Sequence, residues 1–160
     1  MASFQEHDYA RLRRAIELAY EAWERGNRPF GAVLTDQTGK VLLEAQNTVE
    51  TDRNLTGHAE TNLLREAFRR YEVGILAEAT LYTSGEPCAM CAGATFWSGV
   101  GRLVYSISSA RLYELLHSDE AHPALRISCR DVLASGSRKV EVIGPVLENE
   151  AERVFEGFVW

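Results

Sequence analysis

Apolar residues recur at helical spacing from about residue 8 to residue 25. Leu12, Ile16, Ala19, Tyr20 and Trp23 fall on one face there, and Gly26 offers a stop. The stretch FGAVLTDQTGKVLLEAQNT then reads as two strands around the turn Asp36-Gln37-Thr38-Gly39. A polar loop leads into a helix opening near His58, with Thr56 as its expected N-cap. Leu63, Leu64, Ala67, Phe68 and Tyr71 form its expected buried face. ATLYTS predicts a short strand. Pro87 suits the first position of a helix running to about Ser98. RLVYSI predicts a strand, SARLYELLH a short helix, KVEVIG a last strand and NEAERVFEGF a closing helix. The segment from His117 to about Ser137 is polar and carries no periodic pattern.

Helices and strands alternating after an initial hairpin predict an α/β fold. The expected form is one mixed five-stranded sheet with helices on both faces, a three-layer α-β-α arrangement. No internal repeat, low-complexity tract or linker breaks the pattern, so residues 1–160 read as a single domain, long enough to bury a core.

Composition narrows the class without naming it. With 46% hydrophobic and 25% charged residues the chain has the balance of an ordinary globular domain. No apolar run approaches the roughly 20 residues of a membrane span. The opening MASFQEHDYARLRR lacks the apolar core of a signal peptide, so a cytoplasmic location is expected. Seventeen Lys+Arg against twenty-three Asp+Glu give a formal charge of −6, which disfavours a large nucleic-acid footprint. Arg11/Arg13/Arg14 and Arg69/Arg70 read as solvated helix faces. Three cysteines, Cys88, Cys91 and Cys129, are too few and odd in number for a disulfide framework.

The chemistry is concentrated in two short stretches. Cys88 and Cys91 in SGEPCAMCAG stand three apart at a helix start, where they share a face and where the helix dipole favours thiolates. A thioredoxin-like redox pair is one use of that spacing. Adding the neutral imidazole of His58, from TGHAETNLLREA, instead makes a three-ligand zinc set with its fourth position open to water, the pattern of catalytic zinc sites. Two thiolates neutralise Zn²⁺, one ion per chain, and zinc lowers the pKa of bound water to about 7. Glu60, beside the ligand but not needed as one, is placed to move protons. A third option is a zinc-stabilised module without catalysis.

His58-Ala59-Glu60 followed by Pro87-Cys88-Ala89-Met90-Cys91 resembles the H-x-E…P-C-x-x-C signature of the zinc-dependent cytidine deaminase-like superfamily. The resemblance runs in element order from the first helix to the last strand and is strongest between Pro29 and Tyr105. It implies hydrolytic deamination of an aminated ring, with Glu60 as proton shuttle and backbone groups at Ala59 and around Ser84 to Glu86 holding the amine and the water. LYTSGEPCAMCAGA is shared by bacterial guanine deaminases and tRNA adenosine deaminases. Phe30 and Trp97 match aromatic positions of the guanine enzymes, and Asn47 matches a base-binding asparagine.

The tRNA enzymes tend to end in a basic helix. This chain ends LENEAERVFEGFVW, with Glu148, Glu150, Glu152 and Glu156 against Arg153, which disfavours phosphate. By resemblance Asp119 stands near the acidic position that completes a purine pocket. However, the family's FDD pattern is replaced by HSDEAHPA, so Glu114 and Glu120 are candidates too, and Trp160 is a candidate C-terminal aromatic. Guanine is the expected substrate. The alternatives are adenosine in tRNA, cytosine, a nucleoside or an aminotriazine. The resemblance also implies a homodimer. Cys129, His7, His117 and His122 show no ligand spacing.

Overall fold

The computed structural model describes residues 4–116 and 124–159. Helix α1 (Glu6–Glu24) is followed by the hairpin β1 (Gly31–Thr35) and β2 (Val41–Gln46), then α2 (Val49–Asp52), α3 (Ala59–Arg70) and α4 (Val73–Ala77). Strand β3 (Thr80–Gly85), α5 (Ala89–Ser98), β4 (Arg102–Ile107), α6 (Ser109–Leu115), α7 (Cys129–Ala134) and β5 (Glu141–Ile143) come next. The last elements are α8 (Glu148–Glu152) and a 3₁₀ turn at Arg153–Phe155.

The strands form one five-stranded sheet in the order β2-β1-β3-β4-β5. Strand β1 runs antiparallel to β2 and β3, while β3, β4 and β5 are parallel, so the sheet is mixed as expected. Side chains on a strand alternate between faces. Val33, Tyr82 and Val104 accordingly pack with Leu12, Ala15 and Leu18 of α1 on one face. Ala32, Leu34, Leu81, Leu103 and Tyr105 meet Leu63, Leu64 and Ala67 of α3, Ala92 of α5 and Leu133 of α7 on the other. This is the three-layer α/β arrangement. At Gly31 the layers touch backbone to backbone, since a Cβ there would lie 2.3 Å from the carbonyl oxygen of Ala15 in α1.

The first hairpin turns as its sequence predicts. Asp36 Oδ1 accepts from the amides of Thr38 at 2.8 Å and Lys40 at 3.1 Å, and Gly39 takes the left-handed conformation at φ 83°. Two expected helix starts move. The N-cap of α3 is His58 rather than Thr56: the Thr56 hydroxyl donates to Asn54 Oδ1 at 2.8 Å and the Thr56 amide to the same oxygen at 3.1 Å, closing a local turn ahead of the helix. The N-cap of α5 is Cys88, which leaves Pro87 outside the helix rather than at its first position. Phe68, expected in the core, is 60% exposed. The polar segment after His117 contains α7, capped by Ser128, whose hydroxyl accepts from the Asp131 amide. Helices α2 and α4 are too short to announce themselves by period.

Arg138 closes the far end of α5. Its guanidinium donates to the carbonyl oxygens of Thr95 (2.8 Å), Phe96 (3.0 Å) and Val100 (2.9 Å) and lies 5.0 Å from the Phe96 ring centroid. Burial lowers its pKa. Replacing it with methionine strands those carbonyls, and urea unfolding of Arg138→Met is expected to show a loss of about 2–4 kcal/mol.

Candidate metal centre and active site

Helices α3 and α5 both start where β1 begins and β3 and β4 end. Because His58 and Cys88 are caps with extended backbone (ψ 153° and 171°), neither obeys the 100° step of a helix interior. That frees His58 and Glu60 to converge, although two helical positions would point nearly opposite ways.

His58 Nδ1 lies 3.7 Å from Cys88 Sγ and 3.5 Å from Cys91 Sγ. Zinc at about 2.0 Å from nitrogen and 2.3 Å from sulfur, with tetrahedral angles, needs N···S separations of roughly 3.5 Å. The residues present fit the ion. Among the described residues this is the one group of three such ligands, all within 4.8 Å of one another. His58, Cys88 and Cys91 are therefore positioned to bind one metal ion.

The electrostatics of these side chains favour a cation. A hydrogen bond from Cys91, with help from His58, lowers the Cys88 thiol to about 4 against the cost of burial. Cys91, sharing its proton with Cys88 and buried beside Glu60, is pushed up. His58 is raised, chiefly by its contact with Cys88. Glu60 is 6% exposed, and burial, then the charge on Cys88, raise its carboxyl. A carboxyl raised by burial beside a metal site can hold a proton and release it, as a shuttle must.

The other candidates divide. Asn47 is buried, its Oδ1 accepting from the Val49 amide at 3.0 Å while its Nδ2 has no partner among the described residues. It adjoins Thr48, whose amide bonds the carbonyl of Gly57, the residue before His58, at 2.8 Å. A buried donor without a partner costs free energy unless something else accepts from it. Phe30 packs 5.6 Å from Phe155 and fills the space a Cβ on Gly85 would need, 3.1 Å away. Ala59 is the buried first residue of α3. Ser84 Oγ accepts from the Gly31 amide at 3.0 Å, joining β3 to β1.

The Glu86 carboxylate is held by two backbone amides, those of Ser109 and Cys129, each at 2.9 Å. Trp97 stands six residues beyond Cys91, roughly 9 Å further along α5. Its ring is 81% exposed and edge-on to Phe96. Glu114 pairs with Arg111 at the surface, 3.3 Å away. Asp119, Glu120 and Trp160, with His117 and His122, lie outside the described residues.

Sequence motifs did not point to Tyr113 or Arg28. The Tyr113 phenol is raised by burial and then by the charges on Cys88 and Glu86. Arg28, 3.3 Å from Glu50, lies close enough to His58 to oppose its protonation. Neither sits in a recognisable motif, since the fold alone brings α6 and the turn after α1 to this end of the sheet.

The chain is 40% identical over 156 residues to a probable cytosine deaminase of Schizosaccharomyces pombe, covering 96% of this chain and 93% of that one. It is 40% identical over 96 residues to a guanine deaminase of Bacillus subtilis, covering 59% and 61%. In fold it is similar to a guanine deaminase of Nitrosomonas europaea, with a TM-score of 0.76, 23% identity and coverage of 98% and 86%. Residues 5–107 match the model of the cytidine and deoxycytidylate deaminase zinc-binding region. Three ligands spaced for one zinc, with a buried glutamate beside them, belong to that same stretch, and the chain is a member of this family of zinc-dependent deaminases.

Proposed function

We propose that the protein is a hydrolytic deaminase of a free nucleobase, with cytosine ahead of guanine. The observation that carries the reaction type is the convergence of His58, Cys88 and Cys91 with a Glu60 carboxyl raised by burial. A relative 40% identical over 96% of the chain bears the name of a cytosine enzyme, while tRNA adenosine deaminases matched over 92% of it are 31% identical. The guanine relative matches about three-fifths of it. Of the two aromatics that suggest a purine, Phe30 packs beside Gly85, whereas Trp97 faces solvent. Phe30, Asn47, Ala59, Ser84 and Glu86 remain the proposed substrate-side residues of this chain.

When bound, zinc supplies a water acidified enough to attack an amino-bearing ring carbon. The rest belongs to the side chains. Asn47 Nδ2 donates to an acceptor on the base and fixes its edge. Glu60 takes a proton from the attacking water and delivers it to the ring nitrogen beside the reacting carbon, then takes the remaining hydroxyl proton and passes it to the departing amine. Water and an aminated base thus become a carbonyl base and ammonia.

The test is ammonia release across cytosine, guanine, adenine, their nucleosides, an aminotriazine and a tRNA anticodon stem-loop. Fastest turnover of a free base supports the proposal, and faster turnover of the stem-loop overturns it. Asn47→Asp keeps the acceptor that serves Val49 but replaces the donor with a second acceptor. Its kcat/KM for the preferred base is expected to fall roughly 100-fold, about 2.7 kcal/mol.

We further take the protein to work in the cytoplasm as a homodimer. Phe68, Val73 and Trp97, on the neighbouring helices α3, α4 and α5, are apolar and exposed, which suits a face covered by a second copy. Sedimentation should then report a dimer, and Trp97→Glu should shift it toward monomer.

A further inference from the structure

Val140, Val142 and Ile143 give the last strand strong β propensity, and β5 ends the sheet with no strand beyond it among the described residues. A bare edge of that kind is a template for another strand. The Glu141 amide donates to the Gly101 carbonyl at 2.9 Å, so Glu141 turns its main-chain groups toward β4. Alternation then turns those of Val142 and Gly144 outward. One side chain occupies both outward carbonyls. Arg130, the second residue of α7, donates from Nη1 to Val142 and from Nη2 to Gly144, each at 2.8 Å.

The opposite edge is covered by the same device. The Asn47 amide donates to the Phe30 carbonyl at 3.0 Å, and alternation along β2 leaves Leu42, Glu44 and Gln46 facing outward. From α3, Asn62 Nδ2 donates to the Gln46 carbonyl at 3.0 Å, and Tyr71, its C-cap, donates its hydroxyl to that of Leu42 at 3.3 Å. Those two covers are neutral and half-buried, whereas Arg130 is charged and exposed. The β5 carbonyls therefore depend on a single surface side chain.

Charge acts in the same sense there. Arg130 shares a groove of about 500 Å³ between α7 and β5 with Arg138 and Lys139, and every charged residue lining it is a cation. Two copies brought edge to edge would face like charges across the contact, which disfavours it.

We infer that the β5 edge is a self-association surface held shut by Arg130, and that the partner it fits is the β5 edge of a second copy. Antiparallel pairing about a two-fold axis is self-complementary, because each outward residue can exchange both its amide and its carbonyl with an identical one. The Arg130 guanidinium blocks that exchange by holding the carbonyls and by adding charge.

Arg130→Met keeps much of the side-chain length and removes both the fork and the charge. At matched concentration, sedimentation of the zinc-loaded variant is expected to give a weight-average mass at least about twofold above wild type's. Hydrogen exchange at the Val142 amide should slow about tenfold in the associated form. Arg130→Lys keeps the charge but loses the planar fork, so its mass should grow as salt screens the cations. Adding Val142→Pro to Arg130→Met deletes the outward amide without touching the β4 ladder, and the mass should return to wild type's.

An Arg130→Met protein that sediments as wild type does would overturn the inference. Association that survives Val142→Pro would also overturn it, because growth through another face does not need that amide. Should Arg130→Met fail to fold, Arg130→Lys decides alone, and a mass unchanged from low to high salt counts against the inference.

Discussion

Glu60→Gln is expected to lower kcat about 10³-fold while the purified variant still holds one zinc per chain. Glutamine preserves the shape and the hydrogen-bonding reach of the side chain but cannot carry a proton from water to a leaving amine. The carboxyl is buried, and burial together with the Cys88 charge raises its pKa, so the native residue is held at a cost to the fold. The variant removes that cost. Its unfolding midpoint should match or exceed the wild type's, separating lost chemistry from lost structure. Zinc analysis, steady-state kinetics and thermal unfolding on one preparation check all three points. Full turnover in a zinc-loaded Glu60→Gln would end the shuttle assignment.

The largest expected effect on stability lies at the opposite end of the sheet. Asp8 in the first turn of α1 accepts two hydrogen bonds from Arg102 of β4, at 2.8 and 3.0 Å, and one from the Tyr82 hydroxyl at 2.6 Å. It also accepts from the Gln5 amide at 2.7 Å. Burial alone would raise this carboxyl, but the hydrogen bonds from Arg102, Tyr82 and Gln5 outweigh it and hold Asp8 below its ordinary value. Tyr82, buried against the carboxylate, is pushed up to about 12. Asp8→Asn leaves Arg102 with Glu141, 3.3 Å away and poorly aligned for a hydrogen bond. Breaking a buried pair from one side costs about 3–5 kcal/mol, which for a chain of this size lowers Tm by about 10 °C.

The sign of the pH dependence follows from the depressed carboxyl. The Asp8 contribution is complete above the unfolded value near 3.8 and fades as pH falls through the lower folded value. Urea titrations of wild type and variant should therefore differ most at neutral pH and draw together as pH falls below the unfolded value near 3.8. A gap of the same size at pH 3 would mean that the carboxylate charge is not what stabilises this corner.

The sheet and the long helices are legible in the sequence because their apolar periods are complete. Leu12, Ala15 and Leu18 declare α1, and the alternation at Val33, Tyr82 and Val104 declares strands buried on both faces. Helix starts are less legible, because a nearby loop can claim the side chain of a would-be cap. Thr56 has cap chemistry, but its hydroxyl and amide both go to Asn54, and Thr61 donates its hydroxyl back to the Thr56 and His58 carbonyls, which leaves the cap position to a histidine. The zinc set is legible because spacing and residue type both constrain it. The pocket walls are not. An aromatic side chain contributes to a core, a pocket or a surface with the same letter, and Trp97 and Phe68 both turn out to face solvent. Tyr113 and Arg28 are brought to this end of the sheet by long-range packing that no local pattern encodes.

Where Gly31 meets α1, the Ala15 carbonyl, the Leu18 Cβ and the Ala19 amide stand where its own Cβ would be. That contact sits at the start of the strand carrying the amide that Ser84 accepts, close to Phe30 and the Asn47 loop. The separation of α1 from this corner is consequently set by covalent dimensions, not by the volume of interchangeable side chains. Substitutions in the surrounding core can swell or shrink their own neighbourhoods while the corner keeps its span. The base-binding edge thus has a fixed point of reference that drift in the hydrophobic interior does not move.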